Sequence, residues 1–136
     1  MPDLRLYQLE AAKDIIEKKR VLIADDMGLG KTAEAISARN LIEKRYGYNA
    51  RTLYLCPASV MEHIAREIKL WYKKGSNTSI TQIQTATYDQ DILKAKNSDF
   101  TIINYHTLSY FGRDNPEKIR QLEEIGFRYG IIDEAH

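Results

Sequence analysis

The stretch VLIADDMGLGKT, residues 21–32, decides the fold. Four aliphatic or small residues, Val21 to Ala24, read as a short buried strand. A glycine-bearing turn follows, and from Lys31 the apolar positions Ala35, Ile36, Ala38, Leu41 and Ile42 recur at helical spacing as far as Tyr46, with Gly47 as the stop. A strand that runs through Asp25-Asp26-Met27-Gly28-Leu29-Gly30 into a helix opened by Lys31-Thr32 is the setting of a phosphate-binding loop. Gly28 and Gly30 let the backbone curl so that the amides of Asp25, Met27, Leu29 and their neighbours turn toward phosphate oxygens. The helix N-terminus adds its dipole. In this reading Lys31 reaches the β- and γ-phosphates of ATP and the Thr32 hydroxyl ligates Mg²⁺. Asp25 stands where the general G-x-x-x-x-G-K-[ST] pattern has its first glycine.

Working outward, residues 4–19 read as a helix with Leu6, Leu9, Ala12 and Ile16 on one face. Residues 51–56 (RTLYLC) form a second strand that Pro57 ends. Ser59 and Glu62 have the spacing of a capping box, opening a helix whose core face carries Val60, Met61, Ile64, Ile68 and Trp71. A loop at 75–78, a strand over 79–84 and a short helix near 88–95 come next. FTIIN (100–104) is another buried strand, Asp114-Asn115-Pro116 starts a helix lined by Ile119, Leu122 and Ile125, and RYGIID (128–133) is the last strand. Alternating strands and helices, with the strands apolar on both faces, predict an α/β domain with a mainly parallel sheet flanked by helices. Ligands of such sheets bind at the carboxyl ends of the strands.

The last strand ends in Asp133-Glu134-Ala135-His136. Two carboxylates after a hydrophobic strand supply the second half of a phosphate-loop site, Asp133 holding Mg²⁺ through water and Glu134 orienting and deprotonating the attacking water.

Composition bounds the partners. The chain has 136 residues and a net charge of +1, enough for one domain and too little charge to hold nucleic acid by bulk attraction. Residues 1–74 carry 14 Lys/Arg against 10 Asp/Glu and residues 75–136 carry 6 against 9, a mild asymmetry. The single cysteine, Cys56, forms no internal disulfide and fits a reducing, intracellular compartment; read alone it is a buried strand residue. His63, His106 and His136 are scattered and make no zinc spacing. Neither a signal peptide nor an apolar stretch of membrane-spanning length is expected.

These motifs together resemble the N-terminal RecA-like lobe of a superfamily-two helicase motor of the Swi/Snf type, which translocates on double-stranded DNA. DDMGLGKT resembles that family's DEMGLGKT, with Asp26 in place of Glu. LRLYQLEAA resembles its L-R-x-Y-Q segment, which implies that Gln8 reads adenine with Arg5 and Tyr7 nearby; an exposed polar residue on a first helix is the alternative. LYLCPASVMEHIAREI resembles the motif after the second strand, with His63-Ile64 where Asn-Trp is frequent, and IINYHTL resembles the T-Y-E motif while departing from it at Asn104-Tyr105-His106. Ser59, His106 and Thr107 are therefore candidates for DNA phosphate contacts, with helix capping or core packing as competing roles.

The resemblance implies a second RecA-like lobe in the parent chain, supplying arginines to the ATP cleft. It also implies that a strand from beyond His136 lies between the 21–25 and 128–133 strands, so that this stretch alone has a truncated sheet with a central gap, or one filled by another molecule or by a rearranged neighbour. With Glu134 two residues from the end of this stretch, weak ATP binding at most and negligible hydrolysis are expected. Another superfamily-two motor, acting in restriction or on RNA, and a binding fragment without turnover remain alternative readings.

Overall fold

The computed structural model describes residues 15–16, 21–24, 31–46 and 51–133. The glycine turn at 25–30, the Gly47 stop, most of the 4–19 helix with Arg5 and Gln8, and Glu134 with His136 lie outside these residues. Strands β1 (Val21–Ala24), β2 (Thr52–Cys56), β3 (Ile80–Ile83), β4 (Phe100–Asn104) and β5 (Tyr129–Asp133) form one parallel sheet in the order β1-β5-β2-β4-β3. Helices α1 (Lys31–Tyr46), α2 (Met61–Trp71), α3 (Tyr88–Ala95), α4 (Tyr105–Asp114) and α5 (Pro116–Glu123) alternate with them. Every residue of β2, β4 and β5 is buried, as a parallel sheet covered on both faces requires.

Strand alternation sorts the core into two layers. Tyr54, Cys56, Phe100, Ile102 and Ile131 pack with Ala35 and Ile36 of α1 and with Met61, Ile64, Ala65 and Ile68 of α2. Leu53, Leu55, Ile83, Ile103 and Ile132 face the opposite way, onto Ile92 of α3, Leu108 and Phe111 of α4, Leu122 of α5, and Ile15 and Ile16. The α/β class and most element bounds agree with the sequence reading. None of the described helices is long and apolar enough to cross a membrane.

Three expectations are corrected, and one helix is added. The sheet has no central gap: β1 pairs directly with β5, in the register Val21↔Gly130 to Ala24↔Asp133. Backbone donors and acceptors in a buried strand need partners, and two aliphatic strands brought side by side satisfy each other. The Ser59–Glu62 capping box does not form, because a 3₁₀ turn at Ala58–Val60 precedes α2 and no side chain caps it. Trp71 is 49% exposed and donates from Nε1 to Glu67 Oε2 at 2.8 Å, while Tyr72 takes the core position. Finally, α4 follows β4 at once, a helix that the spacing of its residues did not announce.

Candidate functional site

The carboxyl ends of β1 and β5 lie side by side, with Ala24 registered against Asp133. Six residues separate Ala24 from Lys31, the first residue of a 16-residue helix. The first amides of a helix such as α1 have no partner within the helix, and the positive end of its dipole lies there. Glu34 in its first turn and Lys44 and Arg45 in its last complement that dipole.

Thr32 is buried, and its Oγ1 lies 3.3 Å from the Tyr54 hydroxyl of β2. Asp133 is wholly buried, and its main-chain carbonyl accepts a hydrogen bond from the Tyr105 hydroxyl. Tyr54 is registered against Ile131, and Asp133 follows two residues later, so the Asp133 side chain shares the face of Tyr54 and Cys56. Electrostatics agree with this placement. Burial drives the Tyr54 phenol upward, the Thr32 hydrogen bond opposes it, and the Asp133 carboxylate pushes it further up. Burial, and then the same carboxylate, push the Cys56 thiol to about 12. Cys56 is thus a buried, unreactive strand residue.

Along the same sheet edge, Asn104 caps α4: its Oδ1 accepts from the Thr107 amide at 2.8 Å, and its Nδ2 lies 3.3 Å from Met61 Sδ. Thr107 is buried, and its hydroxyl is 2.8 Å from that of Thr85. Ser59 and His106 are exposed, after the adjacent strands β2 and β4, which end in register at Cys56↔Asn104. The structure therefore brings Thr32 and Asp133 to one corner, around the start of α1, and sets Ser59 and His106 on the solvent side of the same edge. It turns Thr107 inward. Tyr54, Tyr105 and Asn104 are the site-edge residues that sequence reasoning missed. A hydroxyl in the middle of a strand otherwise buried among aliphatics was the one available signal for Tyr54.

Residues 7–136 match the family model of the SNF2-related domain. "Protein CHROMATIN REMODELING 19" of Arabidopsis thaliana is 37% identical over 146 positions, which cover 99% of this chain and 19% of that protein. Human "DNA annealing helicase and endonuclease ZRANB3" is 30% identical over 142 positions, covering 100% of this chain and 12% of that protein. Human "Chromodomain-helicase-DNA-binding protein 6" is 30% identical over 148 positions, covering 98% and 5% respectively. The chain thus spans a fifth or less of the length of these relatives.

Proposed function

Because the chain belongs to the SNF2-related domain family, we propose that it is the ATP-binding lobe of a motor that couples ATP hydrolysis to movement along double-stranded DNA. The observation that carries this reading is the in-register meeting of β1 and β5, with Ala24 beside Asp133. It sets a buried carboxylate next to the strand that leads into α1.

The residues present suit a magnesium nucleotide. Mg²⁺ takes one or two protein oxygens and fills its other positions with phosphate and water, and here Thr32 and Asp133 converge on the Tyr54 side of the sheet. When bound, the cation neutralises charge on the phosphates. Lys31 and the amides of Asp25, Met27, Gly28, Leu29 and Gly30 hold the β- and γ-phosphates. Thr32 would supply an oxygen ligand, and Asp133 would hold the cation through water. Glu134, next in sequence to Asp133, takes the proton of the attacking water. Gln8 pairs with adenine, with Arg5 beside it. Ser59 and His106 face DNA phosphates at the exposed edge, and Thr107 serves by fixing the start of α4. Contacts of this kind are tolerant of sequence and sensitive to salt. A second RecA-like lobe completes the cleft.

The test is a titration of a fluorescent ATP analogue in magnesium. Wild type should saturate and Lys31→Ala should bind at least about tenfold more weakly, in line with a lost charge-assisted contact. Equal binding by the two would remove the nucleotide reading. Stimulation of the parent protein's ATP hydrolysis by duplex DNA rather than RNA supports the DNA motor, and the reverse order refutes it.

A further inference from the structure

We propose that the Tyr54 phenol is a positioning residue for the cation site, fixing the orientation of the Thr32 hydroxyl from beneath. This rests on the nucleotide reading above and adds a residue that the phosphate-loop and acidic motifs do not contain.

Tyr54 rises from the middle of β2, its ring wholly buried between the sheet and the α1–α2 layer. Its hydroxyl meets Thr32 Oγ1 at 3.3 Å, and Thr32 is itself 9% exposed. The contact joins two elements 22 residues apart, so it fixes the first turn of α1 onto the sheet and is not a local turn bond. Apolar packing alone gives no reason for the hydroxyl, since a phenylalanine ring would fill the same layer.

A threonine hydroxyl has one proton and two lone pairs. If Tyr54 donates, it uses one lone pair and leaves the other for a cation. If Tyr54 accepts, it uses the proton and leaves both. Either arrangement stops the hydroxyl from rotating and keeps a lone pair available. Tyr54 acts through Thr32 and need not touch the nucleotide.

The experiment measures affinity for a fluorescent ATP analogue with magnesium and with EDTA, using the full chain, and takes the ratio as the magnesium increment. Tyr54→Phe should lower that increment roughly three- to tenfold, the range of one neutral hydrogen bond, with the EDTA affinity within about twofold of wild type. Cys56→Ala, altered on the same buried face, should leave the increment unchanged. Thermal melts without nucleotide show whether each variant is folded. The proposal is overturned if Tyr54→Phe keeps the wild-type increment, or if Cys56→Ala loses as much. If wild type binds no better than Lys31→Ala in either condition, the nucleotide reading itself fails, and the role of Tyr54 with it.

Discussion

Removing either partner of the Arg39–Glu43 pair should destabilise the protein far more than removing both. Arg39 is wholly buried and Glu43 is 5% exposed. The guanidinium lies 4.7 Å from the Tyr72 ring, 5.0 Å from Phe100 and 5.8 Å from Tyr129. Its Nε donates to Thr52 Oγ1 at 2.6 Å, and its Nη1 pairs with Glu43, which also binds the half-exposed Lys73. Breaking a buried pair by deleting one partner costs about 3–5 kcal/mol. Arg39→Met should fall at the lower end, about 3 kcal/mol, because Lys73 and the Tyr72 hydroxyl still attend Glu43. Glu43→Leu should cost about 4 kcal/mol, since it takes the carboxylate away from a buried cation that rests on Thr52 and three rings. The double variant loses both charges, frees Lys73 to solvent and removes the Arg39 bond to the Thr52 hydroxyl, about 1–3 kcal/mol. Urea unfolding followed by circular dichroism reads this directly. With a slope of about 2 kcal/mol/M, each single variant lowers the midpoint by roughly 1.5–2 M. Additivity within about 0.5 kcal/mol would refute the reasoning, as would single variants costing less than about 1 kcal/mol.

Three further outcomes are expected. Burial alone would raise the Asp99 carboxyl, but hydrogen bonds from Lys74 Nζ and the Ser79 amide outweigh it and hold the group below its usual range. Its stabilisation is therefore present above the unfolded value of about 3.9 and lost as pH falls through the folded one. Asp99→Asn should lower the melting temperature at pH 7 and flatten its dependence on pH below about 4, and acid limbs parallel to wild type would contradict this. Cys56, with its thiol raised to about 12 by burial and Asp133, should resist a disulfide reagent at pH 8 until denaturant is added; rapid stoichiometric labelling of the native chain would count against its burial. Asn104→Ala should cost about 1–2 kcal/mol through loss of the α4 cap, and Asn104→Ser should recover most of it; an Asn104→Ala midpoint equal to wild type would show that the cap contributes nothing.

Where a signal was local, the sequence displayed it. β4, α3 and the start of α5 fall where aliphatic runs, helical spacing and Pro116 place them. The positions of Lys31 and Thr32 in the first turn of α1 and of Asp133 at the end of β5 were legible because strand, turn and helix follow one another at fixed spacing. Helix α4 was not legible: Tyr-His-Thr-Leu-Ser-Tyr-Phe-Gly has modest helix propensity, and burial of Thr107, Leu108 and Phe111 together with the Asn104 cap stabilises it instead. Nothing in the sequence marked Arg39 and Glu43 beyond their i,i+4 spacing, because the residues that enclose them, Thr52, Tyr72, Phe100 and Tyr129, come from four separate places in the chain. Capping-box spacing at Ser59 failed for a related reason, since a 3₁₀ turn had already taken up that segment. The expected gap came from the resemblance and not from any pattern within the strands.

The two ends of α1 bear on one another. Thr52, Phe100 and Tyr129 are in register at the amino edge of the sheet, and Arg39 is held there, while Thr32 meets Tyr54 toward the carboxyl edge. Arg39 lies seven positions along the helix from Thr32, about 10 Å. A tilt of about 5° at Arg39 therefore moves Thr32 by roughly 0.9 Å, enough to break a hydrogen bond that already spans 3.3 Å. A directional ion pair bonded to Thr52 restrains that tilt, whereas apolar side chains of similar volume fill the space without fixing an angle. Stability and affinity should therefore separate in the double variant Arg39→Met/Glu43→Leu. It regains most of the stability lost by either single change, yet its affinity for a magnesium-bound ATP analogue should stay several-fold below wild type. Full recovery of both would mean that α1 is seated by packing alone, and that the buried charges have no bearing on the site.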